Sequence, residues 1–171
     1  MRFPLFRTVA ALALTGISAT SMAATRIEIS GGRSYSDGHG TNSAFIEGVF
    51  DERRIGSSRF SWAPDVSVGY LDGRNVARYG NAASDNVWLL SGGARLRMGT
   101  EGDWYHHLFW TAQVAAQKGR TLALSSAGEF VNSIGWQGKQ WTFQLRHVSN
   151  AGLDGANRGE TMALIGLALD L

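Results

Sequence analysis

The sequence predicts an all-β protein, an eight-stranded antiparallel transmembrane β-barrel of the bacterial outer membrane, and three observations lead there. Apolar residues recur at every second position over eight segments rather than at a helical period. Glycine is abundant at 22 residues and proline scarce at 2, a composition that suits strands and turns better than a helical bundle. An export signal opens the chain, and nothing after it stays apolar for the roughly 20 residues that a spanning helix needs.

Arg2 and Arg7 precede an apolar run from Val9 to Ile17, and Ser21-Met22-Ala23 supplies small residues at both cleavage-recognition positions. Residues 1–23 are therefore expected to be a signal peptide and residues 24–171 a single barrel domain, without repeat or linker. The chain has 16 Lys and Arg against 14 Asp and Glu, and Arg2 and Arg7 are the excess. The remainder is charge-balanced and offers nothing to nucleic acid. Without cysteine there are no disulfide staples and no thiolate metal sites.

Eight strands are expected: Arg26 to Gly32, Ser43 to Asp51, Arg59 to Tyr70, Asn86 to Met98, His106 to Lys118, Ala127 to Gln137, Gln140 to Ser149, and Thr161 to Leu171. Alternation is plainest in the third, where Phe60, Trp62, Val66, Val68 and Tyr70 share one face and Ser61, Asp65, Ser67 and Gly69 the other. In the fourth, Trp88, Leu90, Ala94, Leu96 and Met98 oppose Ser91, Gly93, Arg95 and Arg97. The last places Ile165, Leu167, Leu169 and Leu171 on one side. Connections such as Gly138-Lys139 are short, while Asp72 to Ser84 and Asn150 to Glu160 are long and rich in glycine and asparagine.

A soluble barrel turns its apolar residues inward and a membrane barrel turns them outward, and the apolar pattern is the same in both. The other face decides. It carries Glu28, Glu47, Asp65, Arg95, Arg97, Glu129 and Arg146 near mid-strand with balanced signs, as charges paired inside a lumen would be. The apolar face is thus expected to meet lipid. Eight strands leave an interior filled by side chains, which excludes a porin.

One segment breaks the pattern. In Trp141-Thr142-Phe143-Gln144-Leu145-Arg146-His147-Val148-Ser149-Asn150, His147 and Ser149 fall on the same face as Trp141, Phe143 and Leu145. An imidazole and a hydroxyl on a lipid-facing surface are costly unless they serve a function. With both termini in the periplasm, the seventh strand delivers the pair to its extracellular end, at the level of the outer leaflet. A serine becomes nucleophilic when an adjacent imidazole takes its proton, and the imidazole works best when a carboxylate fixes its tautomer. Glu160, beyond the next loop, is the candidate for that carboxylate. Amides of the Asn150-Ala151-Gly152 turn, with Asn157, are candidates to stabilise a tetrahedral oxyanion. The chemistry implied is hydrolysis of a lipid ester.

The run Arg146-His147-Val148-Ser149-Asn150-Ala151-Gly152-Leu153, followed by Asn157-Arg158-Gly159-Glu160, closely resembles the C-terminal signature of the lipid A 3-O-deacylases (PagL). The resemblance implies an outer-membrane esterase, active toward the outer leaflet, that removes the 3-hydroxyacyl chain at position 3 of lipid A in lipopolysaccharide without metal or cofactor. It implies His147 as base, Ser149 as nucleophile, Glu160 as third member, and Asn150, Gly152 and Asn157 in the oxyanion region. A homodimer is left open. This chain departs from the family in lacking a proline before Asn157, in setting Glu160 directly after Gly159, and in ending on Leu171 instead of an aromatic residue. Counted back from Leu171, Glu160 has lumen parity, so a bulge or the loop must swing it toward His147.

Outer-membrane phospholipases resemble this chain in a His-x-Ser-Asn motif on the barrel exterior, but they are larger, calcium-dependent dimers. A non-enzymatic structural or adhesion barrel is a rival of a different class, and a soluble periplasmic lipid-binding barrel is a third. His106 and His107, beside Trp104 and Tyr105, read as part of an aromatic girdle. His39, in a glycine-rich loop or turn, carries no signal.

Overall fold

Alternating side chains and short turns between them make each strand pair with the next in sequence, and the computed structural model closes this meander into a barrel. It describes residues 24–36, 39–73, 86–121, 123–154 and 158–171. The expected signal peptide and Asn157 lie outside the described residues. In chain order the strands are β1 (Arg26–Ser36), β2 (His39–Val49), β3 (Arg53–Arg54), β4 (Phe60–Leu71), β5 (Val87–Met98), β6 (Leu108–Lys118), β7 (Gly128–Gln137), β8 (Trp141–Ser149) and β9 (Glu160–Asp170). All pairings are antiparallel. β1 joins β9, and β2 joins β4, so the eight long strands form a closed ring and β3 is a two-residue addition at one rim.

Three strand ends moved appreciably. β1 and β2 run to Ser36 and from His39, well beyond Gly32 and Ser43, because cross-strand pairing from Gly32↔Ser43 to Ser36↔His39 overrides a sequence rich in glycine and serine. His39 is thus a strand residue. His106 and His107 belong to a 3-10 turn, Trp104–His107, instead of opening β6. There His107 stacks on Trp136 with ring centroids 5.2 Å apart, and Trp104 stacks on the same indole at 6.4 Å. An aromatic rim of this kind is the expected girdle.

Burial is inverted relative to a soluble protein. Ile165 is 68% and Leu167 75% exposed, along with Ile29, Ile46, Leu90, Trp110, Ile134 and Phe143, while Arg95, Arg146, Glu28, Glu47 and Glu129 are among the largest fully buried side chains. Exposed apolar rows around a polar interior mark a barrel whose outside meets hydrocarbon.

The interior has two storeys. Toward the rim at which β1 begins and β9 ends, Arg95 lies 2.9 Å from Glu28, 3.1 Å from Asp65 and 3.2 Å from Glu47, and Arg146 lies 2.7 Å from Glu47. Their guanidinium groups also cover the rings of Phe109 and Phe45 at 4.2 and 4.4 Å. Arg26 ties this rim together by binding Glu28, Asp170 and the carbonyls of Gly138 and Lys139. Toward the opposite rim Phe45, Leu71, Val87, Leu89, Leu124, Val131, Val148, Met162 and Leu164 form an apolar cluster, with the buried carboxylates of Glu129 and Glu160 at the same end. Gly69 lies directly beneath the Phe45 ring, where any side chain would collide.

Removing one member of a buried ion cluster strands the others without a countercharge, at about 3–5 kcal/mol. Arg95→Ala, which leaves Asp65 without its guanidinium partner and Glu28 with Arg26 alone, is expected to destabilise the barrel by about that amount. Urea titration of the refolded protein in lipid vesicles checks it.

Candidate active site

β8 positions the site, and its register is fixed from the inside. Thr142, Gln144, Arg146 and Val148 are fully buried, while Trp141, Phe143, Leu145 and His147 are exposed. Arg146 is held by Glu47 at 2.7 Å, Ser133 at 3.0 Å and Gln144 at 3.1 Å. A slip of one residue would push that guanidinium into lipid, so the ion pair inside forces His147 outside. Ser149, two residues on, ends the strand half-exposed on the same outward row. Two residues of strand separate the pair by about 6.6–6.8 Å between Cα atoms.

His147 faces Asn132 of β7 on one side and Thr161 of β9 on the other. Its Nδ1 is 2.9 Å from Thr161 Oγ1. The rest of the ring leans over Gly159: a Cβ there would stand 2.7 Å from His147 Cε1 and 2.9 Å from Nε2. Gly159 also has φ +71°, a left-handed backbone that glycine adopts without strain. Its N–H donates to the Ala123 carbonyl at 2.9 Å, and the neighbouring Leu124 is fully buried in the apolar mouth. The β6–β7 loop therefore plugs the lumen and pins the residue beneath the imidazole. With Nδ1 directed at Thr161 and Nε2 over Gly159, Nε2 is the nitrogen on the side of the strand end that bears Ser149.

Glu160 takes a different place from the one expected. It pairs with Val148, is 1% exposed and shares the inward face, on the opposite side of the sheet from His147. The swing or bulge expected to carry it outward is absent: pairing of β8 with β9 is continuous from Trp141↔Leu167 to Val148↔Glu160.

The turn after Ser149 is shaped by Asn150. Its buried side chain accepts from the Gly152 N–H at 2.8 Å and donates to the Asp154 carbonyl at 3.2 Å, while its carbonyl accepts from the Leu153 N–H at 3.1 Å. Ala151 and Gly152 both have positive φ, 54° and 74°. In this arrangement the Gly152 amide is engaged within the turn.

Sequence reasoning missed Asn132, Thr161 and the fit of Gly159 under the ring. Asn132 and Thr161 are exposed and face outward beside His147, which makes the outer surface of β7, β8 and β9 polar within an apolar belt. The period-2 pattern of β7 and β9 contained that signal, since Asn132 and Thr161 occupy positions of lipid-facing parity.

Fold and site together define a transmembrane β-barrel of the outer-membrane type with a His–Ser pair on its lipid-facing wall. Among solved structures, the barrel is similar to the outer-membrane enzyme PagL, with 16% identity and a TM-score of 0.55 over 85% of this chain and 99% of that one. Two structures of the Yersinia pestis outer-membrane protein Ail align less well. Its complex with a heparin analogue has 11% identity and a TM-score of 0.45, covering 84% and 98% of the two chains. Ail in a phospholipid bilayer nanodisc has 10% identity and a TM-score of 0.44, covering 85% and 99%. No protein-family model and no curated protein matches the chain by sequence.

A methyl group at position 159 has no room beside the imidazole and carries a left-handed backbone penalty of about 1–2 kcal/mol. Gly159→Ala is expected to displace the His147 ring while leaving the buried ion cluster intact. The histidine ring resonances should shift in NMR spectra of the refolded barrel, without loss of its heat-modifiable migration on gels.

Proposed function

We propose that this barrel is an outer-membrane esterase that hydrolyses the ester-linked 3-hydroxyacyl chain at position 3 of lipid A, with Ser149 as nucleophile and His147 as base. One observation carries the reading: two groups able to form a nucleophile and base stand on the lipid-facing wall of β8, where polar side chains have no structural use. The fold is shared with an outer-membrane enzyme, and the segment from Arg146 to Glu160 resembles the deacylase signature.

In this reading the rim at which β8 ends and β9 begins lies at the outer leaflet, so lipopolysaccharide reaches the site laterally. Ser149 Oγ attacks the ester carbonyl while His147 Nε2 takes its proton. The tetrahedral intermediate collapses by expelling the sugar hydroxyl, which receives that proton from His147. Water, deprotonated by the same nitrogen, then releases the 3-hydroxy fatty acid and restores Ser149. Asn157 is proposed as an oxyanion donor, with Asn150 and Gly152 shaping the turn that leads to it. Leu145 and Phe143, exposed below the pair on the same row, offer an apolar wall to the acyl chain.

Mass spectrometry of lipid A from cells expressing either the wild type or Ser149→Ala tests the reading. The wild type should remove one 3-hydroxyacyl mass, and the variant should lose about a thousandfold or more of the activity. Identical, fully acylated lipid A in both, with the folded barrel present in the outer membrane, would contradict it.

A further inference from the structure

Resting on the esterase reading, we propose that Thr161 is the positioning residue of the site, its hydroxyl holding His147 by Nδ1 so that Nε2 is presented to Ser149. Thr161 stands directly opposite His147 on β9, on the same outward face, with Oγ1 2.9 Å from Nδ1. In this arrangement Nδ1–H donates and Oγ1 accepts, which leaves the lone pair on Nε2 for the serine proton.

Glu160 cannot share this task from where it stands. Adjacent residues of a strand point to opposite faces, and β9 keeps regular pairing with β8 as far as Glu160 and with β1 as far as Thr161. The outward residue of the Glu160-Thr161 pair is the threonine. A hydroxyl thus stands where the sequence led a carboxylate to be expected beside the imidazole.

The lipid setting favours the exchange. A carboxylate on the outer wall would be a charge facing hydrocarbon, whereas a threonine hydroxyl is satisfied by the imidazole it orients. Gly159 closes the other side of the ring. His147 is thereby held between two consecutive outward positions of the same chain segment, and neither position requires a buried charge.

The experiment measures release of 3-hydroxy fatty acid from purified lipopolysaccharide by the refolded full barrel in detergent. It compares wild type, Ser149→Ala, Thr161→Val, Thr161→Ser and Glu160→Gln, each checked for heat-modifiable migration. Valine has the shape of threonine and suits a lipid-facing strand, so Thr161→Val should fold normally. Its kcat should fall about 10- to 100-fold with KM within about twofold, because only orientation of the base is lost. Thr161→Ser, which keeps the hydroxyl, should recover most of the rate, and Glu160→Gln should cost less than Thr161→Val. Wild-type kinetics in Thr161→Val, failure of serine to recover the rate, or a larger loss in Glu160→Gln would each overturn the proposal while leaving the esterase reading intact. Wild type no more active than Ser149→Ala would overturn the esterase reading and this proposal together.

Discussion

Arg146 and Glu47 meet inside the barrel at 2.7 Å, and the placement of every other group in the site depends on that contact. A strand shows alternate residues to its two faces, so fixing one residue inside fixes its neighbours outside. Arg146 inside sets His147 outside, and with it Ser149. Arg95, shared among Glu28, Asp65 and Glu47, does the same for β5 and links it to β1, β2 and β4. Buried ion pairs contribute little net stability over apolar packing, yet they are severe about register, because any slip exposes charge to hydrocarbon. In this barrel they act as the reference from which the outer surface is laid out.

Above that cluster an apolar group of side chains packs the lumen beside the buried Glu129 and Glu160, and this packing matters to the site. Val148, Met162 and Leu164 back the β8–β9 wall from inside, and Leu124 enters from the β6–β7 loop. The loop then spends the Ala123 carbonyl on the Gly159 amide. A packed mouth thus supports the segment beneath His147, while the outer side of the same wall stays open to lipid. Rigid support on one face with access on the other suits the proposed reaction, whose substrate would arrive within the membrane plane.

Much of this was legible in the sequence. The parity of Phe60 to Tyr70 and of Trp88 to Met98 gave the strands, and the charges at Glu28, Glu47, Asp65, Arg95 and Arg146 indicated which face was interior. Counting in twos also set His147 and Ser149 on the wall. What stayed hidden depended on pairing across strands, which a linear pattern does not encode: the extension of β1 and β2 through Gly40 to Asn42, the capture of Arg53–Arg54 by β4, and the partner of His147. Parity gave Glu160 to the lumen, but the chemistry sought for it led to an expected distortion of β9 that the regular pairing of the strand leaves no room for. The apolar storey of the lumen was likewise concealed, since Val148, Met162 and Leu164 read as ordinary apolar residues until closure places them inside.

The proposed chemistry rests on Ser149, on the lipid-facing wall, being made nucleophilic by His147. Labelling of the folded barrel with a long-chain alkyl fluorophosphonate, followed by peptide mass spectrometry, tests it most directly. The account predicts one adduct, on Ser149, that disappears in His147→Ala and in the unfolded protein. Absence of an adduct in the folded wild type, or labelling of Ser149 undiminished by loss of His147, would contradict it.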